Sequence, residues 1–211
     1  MMDIVRIPVG PLQANAYLVV DDAGDAVVVD PGDEGERIAA EITRLGVAPR
    51  EVWLTHAHFD HVGGLAALLR AFPLPVRMHD ADRPLLEHAE RAAAGWGFAI
   101  EAPPTETVSV THGQTLRVGA HGPEARALHT PGHAPGHLAF HLAEHGVVIA
   151  GDALFRGSIG RTDLPFGDPE QLLASIRREL LTLPDDTRVL PGHGPDTTIG
   201  VERRTNPYLR G

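Results

Sequence analysis

Four potential metal ligands crowd one seven-residue stretch, Thr55-His56-Ala57-His58-Phe59-Asp60-His61, directly after the apolar run Val52-Trp53-Leu54 and ahead of Gly63-Gly64 and a helical pattern. A run of this kind has no role in a core or a helix cap, so the fold must give it another use. In extended backbone, residues two apart share a face. His56, His58 and Asp60 can therefore converge, while a turn at Asp60 swings His61 in from the other side. Three more candidates stand where other apolar runs end. His133 follows Thr130-Pro131-Gly132, His193 follows Leu190-Pro191-Gly192, and Asp152 follows Val147 to Ala150 and then Gly151, a glycine that permits a tight backbone turn. If these strand ends meet at one rim, the seven side chains form a set large enough for two metal ions side by side.

The 211-residue chain contains no cysteine, which excludes disulfides, thiolate zinc sites and a cysteine nucleophile. Imidazole and carboxylate ligands suit zinc, iron, nickel or manganese. The net charge of −10 repels a phosphate backbone, so a nucleic-acid partner is not expected. The longest apolar runs fall short of a membrane span, and Met1-Met2-Asp3 does not open a signal peptide. These features predict one cytoplasmic domain spanning 1–211 that acts on a small molecule without a membrane partner; oligomeric state is not legible.

Strands are predicted at Ile4 to Ile7, Tyr17 to Val20, Ala26 to Val29 and Val52 to Leu54. Asp33 and Glu36 have the spacing of a capping box, opening a helix with Ile38, Ile42 and Leu45 on one face and Gly46 at its end. Leu65, Leu68, Leu69 and Phe72 at i, i+3, i+4 and i+7 predict a helix just beyond the ligand loop. Pro75 to Met78 reads as a strand, Asp82 to Ala94 as a helix, and Gly95 to Thr107 as a loop that either covers a pocket or packs as a connector. Short strands follow at 108–110, 115–118, 125–128, 138–142 and 147–150. Asp168-Pro169-Glu170 marks the start of an amphipathic helix carrying Leu172, Leu173, Ile176 and Leu180. The pattern by itself supports a mixed α/β fold.

With His-x-His-x-Asp-His at 56–61 and later ligands His133, Asp152 and His193, the chain resembles the metallo-β-lactamase superfamily of hydrolases. The stretch Gly151 to Asp163 is similar to glyoxalase II-like proteins and to persulfide dioxygenases. The resemblance implies a four-layer αββα sandwich. It also implies that His56, His58 and His133 hold one metal, that Asp60, His61 and His193 hold a second, and that Asp152 bridges them. Two divalent ions are the implied cofactors, zinc first, with iron or manganese as alternatives. Asp60 and Asp152 are then the catalytic carboxylates, and the implied chemistry is attack of a metal-bridging hydroxide on a thioester or related ester. Arg161 stands where glyoxalase II relatives carry a cation for the glutathione moiety, and substrate anchoring is weighed there against a structural ion pair.

The C-terminal helical domain of full glyoxalase II is not expected here, and Thr162 and Asp163 stand where that family carries an aromatic-containing sequence. A mononuclear iron persulfide dioxygenase using His56, His133 and Asp152 is one alternative, and a lactonase is another. A β-lactamase is disfavoured, because Asp152 falls where resembling zinc lactamases place a cysteine. Asp30 resembles a family position that ties backbone amides near the metal loop and is read as a turn former rather than a ligand, His137 as a support behind the ligands or structural, and the remaining histidines as exposed or internally satisfied.

Overall fold

The computed structural model describes residues 2–210. The first half forms a six-stranded sheet from β1 (Asp3–Val9), β2 (Ala14–Val20), β3 (Asp25–Val29), β4 (Ala48–Trp53), β5 (Val76–Met78) and β6 (Val108–Ser109), in that spatial order. The first three strands are antiparallel and the last four run parallel. Parallel neighbours need crossover connections. These are helix α1 (Gly35–Leu45), then α2 (Phe59–Val62) with α3 (Leu65–Ala71), then α4 (Arg83–Glu87) with α5 (Ala89–Gly95).

The second half supplies β7 (Thr115–Arg117), β8 (Glu124–His129), β9 (Leu138–Leu142) and β10 (Val147–Gly151). A two-stranded ribbon of β11 (Leu154–Phe155) and β12 (Ser158–Ile159) follows, then helix α6 (Pro169–Ser175), which continues through a π-helical turn to Leu180. Strands β13 (Arg188–Pro191) and β14 (Thr197–Thr198) and helix α7 (Ile199–Thr205) complete the chain. The second sheet has the order β14-β13-β10-β9-β8-β7.

The side-chain alternation of the strands dictates the layers. Tyr17, Val19, Val27, Val29 and Trp53 project from the first sheet onto Leu138, Phe140 and Ile149 of the second, and the Trp53 and Phe140 rings lie 5.3 Å apart. The intervening residues, such as Leu18, Val28 and Val52, pack outward on Ile38, Ile42 and Leu68 of the helices. On the far side, Val148, Ala150 and Val189 pack on Leu172, Ile176 and Ile199. Three apolar layers between four structural layers give the αββα sandwich. No helix among the described residues is long and apolar enough to cross a membrane.

Two local readings need correction. Asp33 and Glu36 do not form a capping box: α1 starts at Gly35 behind Glu34, which is left-handed at φ 50° and makes no side-chain cap. The Asp33 carboxylate instead accepts from the Glu34 amide, while the Gly64 amide donates to the Pro31 carbonyl, so docking on the ligand loop fixes where the helix begins. The single helix expected over 82–94 is two, broken at His88 (φ −108°, ψ 4°), whose amide bonds to the Leu85 carbonyl three residues back. In the C-terminal segment, the fully buried Glu202 of α7 accepts from Thr197 Oγ1 and from the Gly157 amide at the ribbon turn. Asp168 does cap α6, accepting from the Gln171 amide at 2.9 Å.

Phe140→Ala, which opens a cavity between the two sheets, is expected to cost about 3–5 kcal/mol. Denaturant unfolding followed by Trp53 fluorescence checks this, with the exposed Val201→Ala as the near-neutral control.

Candidate metal centre

The strand termini meet as the ligand spacing requires. β4 ends at Trp53 and releases the loop carrying His56 and His58, and the single turn of α2 holds Asp60 and His61. His133, Asp152 and His193 leave the ends of β8, β10 and β13 on the same rim, and His193 forms an isolated bridge to Ala14 at the start of β2. All seven side chains named from the sequence are brought together.

Nε2 of His133 lies 3.2 Å from Nε2 of His56 and 2.9 Å from Nδ1 of His58. Tetrahedral nitrogens at 2.0–2.1 Å from a zinc ion are about 3.3 Å apart, so three imidazoles already stand close to ligand spacing. In the second group, His193 Nε2 is 3.2 Å and His61 Nε2 3.9 Å from Asp60 Oδ2. Asp152 lies between the groups: Oδ1 is 3.4 Å from His61 Nε2, while Oδ2 is 3.6 Å from His133 Nε2 and 3.7 Å from His193 Nε2. The sets His56/His58/His133 and Asp60/His61/His193 each place their ligand atoms within 4.8 Å of one another.

Outer hydrogen bonds aim the rings, as metal-binding histidines require. His61 Nδ1 donates to Asp30 Oδ2 at 3.0 Å, His133 Nδ1 to the Arg161 carbonyl at 2.8 Å and His193 Nδ1 to the Leu12 carbonyl at 3.1 Å. Thr55 Oγ1 donates to Asp30 Oδ2 at 2.6 Å and so receives Nδ1 of His56 at 3.0 Å. Each of these rings therefore turns Nε2 toward the centre; His58 presents Nδ1 instead. Asp30, His56 and His61 also lie within ligating distance of one another, but Asp30 is engaged by the Thr55 amide and hydroxyl and by His61, which makes it a support.

Among the described residues, two buried side-chain atoms lack any hydrogen-bond partner, His61 Nε2 and Asp152 Oδ1. Orphaned buried polar atoms are costly and need an explanation. A cation between the facing nitrogens and carboxylates satisfies both, and the donor set fits divalent transition metals. Burial, then the neighbouring imidazoles, holds His56 well below the ordinary histidine range and His58 at about 3, so both are neutral donors. Burial opposes a charged His61, but the Asp152 and Asp60 carboxylates outweigh it and raise its pKa. Burial likewise opposes ionised Asp152, and His61, His133 and His193 overcome it and lower its pKa. The carboxylates are thus held charged, as cation ligands must be.

Some supporting residues escaped the sequence reading. Asp82, fully buried, accepts from the Ala57 amide between His56 and His58 and from the Gly136 amide, and burial lifts its pKa to about 6. Asn15 and Tyr17 hold the Pro191 carbonyl ahead of His193. His137 is structural as expected: Thr130 Oγ1 contacts its Nδ1, and its Nε2 accepts from the Asp152 amide at 3.0 Å. Gly192 was legible only as part of a turn. A Cβ there would lie 2.0 Å from Asp152 Oδ1, so the carboxylate occupies the space a side chain would fill.

A cleft of about 530 Å³ opens onto the centre, with His58, Asp60, His133, Asp152 and His193 at its floor. The 96–107 loop does both things weighed for it: Trp96 lines the cleft, and Phe98 packs on Phe59 with ring centroids 5.8 Å apart. Arg161 also lines the cleft, and its guanidinium forms an ion pair with Asp163 at 2.8 Å.

The metallo-β-lactamase superfamily matches residues 9–193. A Haemophilus influenzae protein described as hydroxyacylglutathione hydrolase GloC is 40% identical over 210 residues, covering 99% of this chain and 98% of its own length. A solved structure of TTHA1623 in a di-iron-bound form is 51% identical, with a TM-score of 0.91 over 97% of this chain and 100% of that one. A second, the BLEG-1 B3 metallo-β-lactamase, is 40% identical with a TM-score of 0.93, over 99% and 100%. The chain belongs to the metallo-β-lactamase superfamily, and its fold and its histidine and aspartate clusters are those of a metal-dependent hydrolase.

Gly192→Ala is expected to displace the Asp152 carboxylate and lower the metal retained per chain. Metal analysis after gel filtration, with circular dichroism as a folding control, measures the loss. Asp82→Ala leaves the Ala57 and Gly136 amides unpaired in the interior, at a cost of about 1–3 kcal/mol; unfolding with and without added metal measures the loss.

Proposed function

We propose that the protein is a binuclear metal-dependent hydrolase that cleaves a thioester or related ester. The observation that carries two ions is the presence of two separate ligand sets, with His61 Nε2 and Asp152 Oδ1 left orphaned at the second. His56, His58 and His133 would hold one ion, Asp60, His61 and His193 the other, and Asp152 would serve both through its two oxygens. When bound, such ions polarise a carbonyl and lower the pKa of water to about 7.

The chain's own groups supply orientation and charge. Asp30 and Thr55 fix His61 and His56 as Nε2 donors, and the Arg161 carbonyl does the same for His133. Asp60 sits at the cleft floor and is partly accessible, so its carboxylate can orient a water or hold its proton as well as bind metal. A thiolate leaving group, with a conjugate-acid pKa of about 8.5, needs little acid assistance, and no lysine exists in the chain to give it. The GloC relative matches this chain along nearly its whole length, which supports a thioester substrate.

A β-lactam is the second reading, because the BLEG-1 structure is described as a lactamase and shares 40% of its residues with this chain. That likeness weighs against setting lactams aside for want of a cysteine ligand. A mononuclear iron dioxygenase on His56, His133 and Asp152 is disfavoured, since it leaves His61 Nε2 buried without a partner.

Purified protein is expected to bind two metals per chain and release thiol from S-lactoylglutathione or a simpler thioester. Asp152→Asn and Asp60→Asn are each expected to lower kcat by about 100-fold or more, a loss of the size seen when transition-state charge stabilisation is removed. One iron per chain with oxygen uptake on a persulfide, or turnover of a β-lactam alone, would overturn the thioester reading.

A further inference from the structure

We infer that the cleft selects substrates whose leaving arm is uncharged and apolar, and that Asp163 enforces this by occupying Arg161. The inference rests on the thioester reading above and narrows its substrate class. The walls above the metal floor are formed largely by Leu12, Phe59, Leu85, Trp96, Phe155 and Ile159. Leu12 is 42% and Trp96 54% exposed. Large side chains left this open around a concave site are the usual mark of an apolar ligand.

Arg161 is the one arginine among the residues lining the cleft. Its backbone is fixed beside the centre, because the carbonyl accepts from His133 Nδ1. Its guanidinium is engaged twice. Nε and Nη2 each donate to a different oxygen of Asp163 at 2.8 Å, and the group lies 5.3 Å from the Trp96 ring centroid. The pair is exposed, 49% for Arg161 and 69% for Asp163, so it adds little to stability. Its effect falls on what Arg161 can bind. Asp163 presents to the guanidinium the same bidentate carboxylate that an anionic thiol would offer. The net charge of −10 opposes an anionic arm further. An aliphatic or aryl arm meets the opposite conditions, lying against Trp96 and Leu12 with no charge to desolvate.

The test compares three thioesters sharing one acetyl group, on glutathione, on N-acetylcysteamine and on phenylmethanethiol, with metal-loaded full-length protein. The expected order of kcat/KM places phenylmethanethiol about tenfold above glutathione, in line with burial of an aryl group. Asp163→Asn is expected to shift the glutathione-to-phenylmethanethiol ratio by about fivefold in favour of glutathione. Arg161→Gln in the same background should cancel that shift.

Binding is followed separately with S-benzylglutathione and with the S-benzyl thioether of N-acetylcysteamine, using Trp96 fluorescence with Trp96→Phe as the blank. Tighter binding of the uncharged thioether, relaxed by Asp163→Asn, supports the assignment even if no thioester is cut, in which case the hydrolase reading fails alone. Thioester cleavage with glutathione preferred, or a ratio that Asp163→Asn does not move, overturns the assignment and leaves the hydrolase reading standing.

Discussion

The molecule is organised around one electrostatic problem. Three imidazoles of one group and two imidazoles and two carboxylates of the other are packed into a largely water-excluded rim, with His56, His61 and His133 almost fully buried. Burying so many polar groups is unfavourable unless each has a partner. Asp30 answers part of it. One carboxylate takes the Thr55 amide, the Thr55 hydroxyl and His61 Nδ1, and so fixes the loop, its first histidine and the ring of the last. Among the described residues, two buried side-chain atoms remain unsatisfied after that network is complete, His61 Nε2 and Asp152 Oδ1, 3.4 Å apart where a cation would be held.

The sandwich serves this arrangement. Each sheet is pinned by apolar alternation on both faces, so its strand ends are rigid where they reach the rim. The seam between the sheets is closed by specific contacts. Asn15 and Tyr17 of β2 hold the Pro191 carbonyl, and the Ala14–His193 bridge carries the last histidine to the first sheet. Asp82 spans the halves in the same way, through Ala57 and Gly136. Ligand geometry is therefore a consequence of how the two sheets dock.

Much of this was visible in the residues. The ligand cluster at 56–61, the histidines after Pro-Gly turns and the aspartate after Gly151 are local patterns, and they marked the seven side chains that converge. Strand alternation and the Leu65–Leu68–Leu69–Phe72 stripe located the flanking elements, because period and burial are coupled within a few residues. The capping box at Asp33 failed because packing of Gly35 and Gly64 against their neighbours moved the helix start. Ribbon β11–β12 escaped because its strands are too short to show a period, and its tie to helix α7 escaped because Glu202 meets the Gly157 amide only when the two elements pack.

The sequence by itself determined which chemistry the chain can hold: nitrogen and carboxylate ligands, no thiol, and a set of strand-end turns to carry them. Tertiary structure alone decided how those ligands are divided, which nitrogen each ring turns inward, and that Arg161 meets Asp163 at the mouth of an apolar cleft. The difference is one of distance. Residue type and short-range period are written locally, whereas Asp30 and His61, His133 and Arg161, or Ala57 and Asp82 come into contact only when separate elements pack.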